Sequence, residues 1–134
     1  MSPEQKIKRE ILLIAVMEDD IDWNQDDDIM DIDGDEIDDA YEDILVDKQL
    51  HWEFEHDFRD SGEATDLPTN YSRHYECYEM ARKMCDGTWV GWTYWYGGGK
   101  HGERGDISWM EDAYEVSVTE EEQLVVVKTF KKMA

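Results

Sequence analysis

Between Glu18 and Asp47 the chain places sixteen carboxylates and not one Lys or Arg. No other feature restricts its folding as strongly. Like charges one helical turn apart repel each other, so a helix in this tract must be held by tertiary packing. A tract of charge alone would stay unfolded, because it buries too little apolar surface to offset the entropy of ordering. This one also carries Ile21, Trp23, Ile29, Met30, Ile32 and Ile37. A purely solvating tail has no use for them.

The formal charge of the 134 residues is −22, and −16 of it lies in these thirty. Such a balance excludes binding nucleic acid by phosphate neutralisation, which needs clustered Lys and Arg. It excludes docking on an anionic membrane on the same ground. The apolar run Ile11 to Met17 is too short to span a bilayer and no small-residue cleavage site follows it, so a cytoplasmic protein is expected. Cys77 and Cys85 are too few for a disulfide framework. The length fits one domain over residues 1–134.

The expected fold class is α+β: two N-terminal helices, the second acidic, packed on a four- to five-stranded antiparallel sheet. Ser2 and Pro3 read as a cap and first helical residue, and Ile7, Ile11 and Ile14 share a face, which predicts a helix over about 3–18. Ile37, Tyr41, Ile44 and Leu45 predict a second from Asp35 to about Lys48, within a highly acidic helical segment 18–47. An aromatic-rich sheet is expected over 50–131. Leu50, Trp52, Phe54 and Phe58 read as a half-buried strand, residues 75–84 and 88–96 as strands around an Asp86-Gly87 hairpin, and 61–68 as a loop. Residues 97–105 read as a glycine-rich loop and 106–113 as a short helix capped by Asp106. Residues 114–118 and 124–130 read as a second hairpin.

If residues 18–47 were all helical, sixteen charges would span roughly 45 Å. That is about one per 2.8 Å, against one per ~1.7 Å of duplex DNA. A surface of this kind is drawn electrostatically to the basic cleft of a DNA- or RNA-binding protein. In that reading Asp26, Asp27, Asp28, Asp31, Asp33, Asp35, Glu36, Asp38, Asp39, Glu42 and Asp43 stand in for phosphates. Trp92, Tyr94 and Tyr96 share one face of the aromatic strand: they suit the core of a strand covered on both sides, and in the mimic reading they add apolar anchors. A structural protein with a merely solvated acidic face is the plainer alternative.

Other chemistries fit less well. Asp31-Ile32-Asp33-Gly34-Asp35 resembles part of a calcium loop, but setting Gly34 at position 6 puts Ile29 at position 1 and Ala40 at position 12. His74, Cys77, Cys85 and His101 lack zinc-ligand spacing. Glycines 97–99, 102 and 105 beside Lys100, His101 and Arg104 suggest a pocket for a small molecule or nucleotide, although the P-loop pattern fails at His101. A nucleotide sponge built on those three residues is the second functional reading. Glu53, Glu55, Glu76 and Glu79 form no recognisable catalytic arrangement, so no enzyme activity, metal or cofactor is expected.

The stretch Trp89 to Tyr114, an aromatic strand followed by GGGKHGE and ISWMEDAY, resembles short uncharacterised proteins of tailed bacteriophages and prophages. In charge, the acidic half is similar to phage DNA-mimic and anti-defence proteins. The resembled phage proteins carry no agreed activity; the likeness in charge alone leads to the expectation of a non-enzymatic inhibitor in the cytoplasm of a bacterial host cell. Its partner would be a host nucleic-acid-binding protein with a basic cleft, with no direct nucleic-acid binding and no membrane partner. Whether the chain forms a homodimer stays open.

Overall fold

Helix α1 (Pro3–Met17) starts on a reciprocal cap. Ser2 Oγ accepts from the Gln5 amide at 3.2 Å, and Gln5 Oε1 accepts from the Ser2 amide at 2.9 Å. The computed structural model describes residues 1–65, 67, 76–96 and 109–118. Ile7, Ile11, Leu12 and Ala15 are fully buried on the inner face of α1, which touches the helices Gly34–Tyr41 and His51–Asp60 and the strands Trp89–Tyr96 and Tyr114–Val116. Contact on so many sides also buries Lys6, Arg9 and Glu10, and each finds a partner on or beside the hairpin that turns at Asp86-Gly87. Lys6 Nζ donates to Thr88 Oγ1 (3.1 Å) and Glu115 Oε1 (3.0 Å), and an Arg9 guanidinium nitrogen to Asp86 Oδ2 (2.7 Å). Glu10 Oε2 accepts from the Cys85 amide (3.1 Å).

Helix α2 (Gly34–Tyr41) runs into a π-helical turn, Glu42–Val46, and α3 spans His51–Asp60. The acidic segment is therefore helical only from Gly34 to Val46, not from 18 to 47. Residues before it fold as turns and irregular stretches, with aspartate side chains bonding the backbone locally at Asp28 and Asp33. Asp28 Oδ1 accepts from the Met30 amide at 2.9 Å, and Asp33 caps α2 by accepting from the Glu36 amide at 2.8 Å. Ile21 and Ile29 are buried in the core, and Trp23 Nε1 donates to the Asp27 carbonyl at 3.0 Å.

The strand expected over 50–58 is helix α3, so three helical elements precede the main strands instead of two. The alternation at Leu50, Trp52 and Phe54 is broken by His56, and no β-branched residue occurs in His51–Asp60. Phe54 and Phe58, four apart, lie on one helical face. Phe58 is buried against Trp92 and Trp109, with ring centroids 5.3 and 6.2 Å away. The Arg59 carbonyl accepts from Trp92 Nε1 at 3.3 Å.

The sheet is antiparallel throughout, in the order β1-β2-β3-β4: β1 Glu63–Ala64, β2 Glu76–Lys83, β3 Trp89–Tyr96, β4 Tyr114–Val116. The turn after β2 closes through the Met84 amide on the Thr88 carbonyl (2.7 Å), with Gly87 at φ +88°. Met80 pairs with Trp92, and both face the helices in one core shared with α1, α2 and α3. On the opposite face Glu79 is buried. Its Oε1 accepts from Thr93 Oγ1 (3.0 Å) and Tyr114 Oη (2.8 Å). Of the short helix expected over 106–113, residues 109–113 form a turn, closed by the Ala113 amide on the Met110 carbonyl (3.2 Å), and 106–108 lie outside the described residues. So does the strand expected at 124–130. Among the described residues, no helix is long and apolar enough to cross a membrane.

Candidate acidic interface

The local folding of residues 18–47 sorts its side chains. The apolar ones turn inward, Met30 excepted at 39% exposed: Ile21, Ile29, Ile37 and Leu45 are buried, and Trp23 and Ile32 are half-buried. The carboxylates turn outward. Fifteen of the sixteen are exposed, including Asp26, Asp27, Asp28, Asp31, Asp33, Asp35, Glu36, Asp39, Glu42 and Asp43. Among the described residues, none of these fifteen forms an ion pair. Along α2, Asp35, Asp39 and Glu42 follow one stripe at helical spacing, with a rise of about 6 Å from Asp35 to Asp39.

Asp38 is the exception. It is half-buried, accepts from Gln5 Nε2 at 2.9 Å and pairs with Lys8 Nζ at 3.0 Å. Burial pushes its carboxyl up, but the Gln5 and Lys8 bonds outweigh that and hold it below the usual range. Asp38 therefore braces α2 against α1, and Lys8, which also reaches Glu4 at 3.4 Å, is already engaged. Lys48 is exposed at the far end of the tract. Together with Asp19, Asp20, Asp22, Ile44 and Leu50 it lines an open cleft of about 330 Å³.

Of the aromatic anchors read from the sequence, Trp92 and Tyr94 are not at this surface. Trp92 is fully buried and Tyr94 nearly so, because the β3 face that carries them is the one covered by α3. Tyr96 ends β3 opposite Glu76. Lys100, His101 and Arg104 lie outside the described residues. The most exposed aromatic among the described residues, and one that sequence reasoning missed, is Trp52, 61% exposed on α3. Its signal was the helical pairing of Phe54 with Phe58, which turns Trp52 away from the core.

Gly34 leaves no room for a side chain: Gln5, from the α1 cap, packs where its Cβ would stand. Among the described residues no three His, Cys, Asp or Glu side chains gather to hold a metal ion. Neither Cys77 nor Cys85 forms a disulfide among the described residues. Burial, reinforced by Glu10, pushes the Cys85 thiol up to about 11, and its Sγ lies 3.4 Å from Met30 Sδ. Of the acids considered for catalysis, Glu53 is exposed. Glu55 faces Tyr41 and His51, and its burial holds the carboxyl above the usual range despite them.

Compared with family models, with curated proteins and with solved structures, the chain has no significant match.

Proposed function

We propose that this protein is a non-enzymatic inhibitor, carried by a phage or mobile element, that occupies the basic nucleic-acid cleft of a host defence or DNA/RNA-binding protein. The observation that supports this reading is the set of fifteen exposed carboxylates, unpaired among the described residues, on a segment anchored to the core by its own isoleucines. An acidic tail would carry the charge without the anchors. A solvated face chosen only for solubility would be interspersed with cations, whereas Lys48 is the only one in or directly after the tract before Arg59. Preorganised carboxylates need not be ordered on binding, which favours affinity, and their field accelerates encounter with a cationic cleft.

The test is charge reversal. Asp26, Asp27, Asp39 and Asp43 are all exposed and hold no side-chain hydrogen bond among the described residues. Changing the four to Lys should leave the melting transition cooperative and remove capture of basic proteins from a bacterial lysate at low salt. Wild-type complexes should release in a salt gradient and be displaced by duplex DNA. Capture that survives both reversal and high salt would overturn the proposal. A large thermal shift with a nucleotide would favour the sponge reading in its place.

A further inference from the structure

The outward face of α3 continues the chemistry of the tract although it lies beyond it in sequence. Glu53, Asp57 and Asp60 are exposed on it at helical spacing. Among them stands Trp52, 61% exposed, with its indole 4.3 Å from the His51 ring at a tilt of 37°. Leu50, 40% exposed at the N-cap of α3, lines the cleft that Asp19, Asp20 and Asp22 rim. The two acidic surfaces therefore meet at residue 50.

An exposed indole in a field of carboxylates selects its occupant by charge. A second copy of the chain would bring another acidic face against this one, at a net charge of −22 per chain. An anionic lipid surface is repelled for the same reason. A guanidinium suits both components: it is planar and weakly hydrated, stacks on an aromatic face, and remains cationic for the neighbouring acids. Resting on the proposed acidic interface, we infer that Trp52 is its anchor and seats an arginine of the basic partner against the indole. Glu53 and Asp57 supply counter-charge on the same helix. The interface then prefers arginine-rich over lysine-rich surfaces by more than carboxylates alone would give.

The probes are two peptides of equal charge, nine arginines and nine lysines, titrated by calorimetry into the full chain. Trp52→Ala should lower the arginine-to-lysine affinity ratio about 2- to 5-fold, the range of an exposed cation–π contact. Trp52→Phe should restore part of it, and the nine-lysine affinity should hold. The far-UV spectrum and melting temperature should not change, because the side chain is outside the core. The four-site Asp→Lys variant should weaken both peptides together. An unchanged ratio in Trp52→Ala, with both peptides still bound, would refute the anchor and leave the acidic interface standing. Failure of the wild-type chain to bind either peptide would remove the acidic interface and the anchor with it. A wild-type dimer in sedimentation that Trp52→Ala converts to monomer would assign the indole to self-association and overturn the inference.

Discussion

If the carboxylates of α2 serve a partner, they weaken the fold, and the cost can be measured at Asp39. This residue is exposed, with Asp35 one turn before it and Asp43 about one turn after. Each like-charge pair at that spacing destabilises a helix by about 0.2–0.5 kcal/mol, and an opposite-charge pair stabilises by a similar amount. Asp39→Lys converts both pairs at once, an unscreened swing of about 1–2 kcal/mol. Solvent screening at an exposed site reduces this to about 0.5–1.5 kcal/mol. Lysine's better helix propensity and its place toward the C-terminal end of the helix act in the same direction. The melting temperature should rise by roughly 2–6 °C in 0.1 M salt, followed by circular dichroism or calorimetry. Most of the gain should vanish at 1 M salt, where the Debye length falls from about 10 Å to about 3 Å. Wild-type stability should rise over the same interval. An Asp39→Lys variant that melts at or below wild type in 0.1 M salt, or whose advantage grows with salt, would refute the reasoning.

Gly91→Ala should cost about 1–3 kcal/mol by overpacking, because the new Cβ would meet Tyr114 Cε2 at 2.6 Å and Val116 Cγ2 at 2.8 Å. In a Tyr114→Ala background the same change should cost less, as urea unfolding of the four variants would show. Asp86 is pushed up by burial, but donors on Thr88 and the Arg9 guanidinium hold it down at about 2. Its folded pKa lies below the unfolded one, so the stability it adds is present above about pH 4 and is lost as pH falls toward 2. Asp86→Asn should flatten that limb of the pH–stability curve by about 1 kcal/mol after solvent screening. Glu55 has the opposite sign. Burial raises its folded pKa, so its contribution is present at low pH and lost as pH rises through that value. Glu55→Gln should therefore melt above wild type at pH 7 and less so at pH 4.

What the sequence made legible was local chemistry. Ser2, Pro3 and the isoleucine spacing predict α1 to within a residue of its end, and Asp86-Gly87 places the hairpin. The outward turn of the carboxylates follows from the apolar residues threaded between them. What it hid depends on neighbours distant in the chain. Trp52 and Phe54 alternate like a strand, and only the partners of Phe58, Trp92 and Trp109, decide for a helix. With aromatics on both faces of β3, alternation leaves open which face is covered, and Trp92 and Tyr94 fit a core position and a surface anchor alike. Lys6, Arg9 and Glu10 look like the solvent side of an amphipathic helix, yet the β2–β3 hairpin and Glu115 close over them. Asp33 caps α2, but the many aspartates around it leave the sequence no mark of which one is the cap.

Two of the fifteen exposed carboxylates, Asp28 and Asp33, hold a turn and a helix start. Among the described residues the other thirteen make no side-chain hydrogen bond and no ion pair. Single substitutions at those thirteen can therefore move, add or erase charge while the isoleucines beneath keep the backbone in place. If the proposed partner is an adversary, that separation is an evolutionary freedom: when the opposing surface changes, the contact pattern can follow by point mutation, one position at a time, without refolding the scaffold.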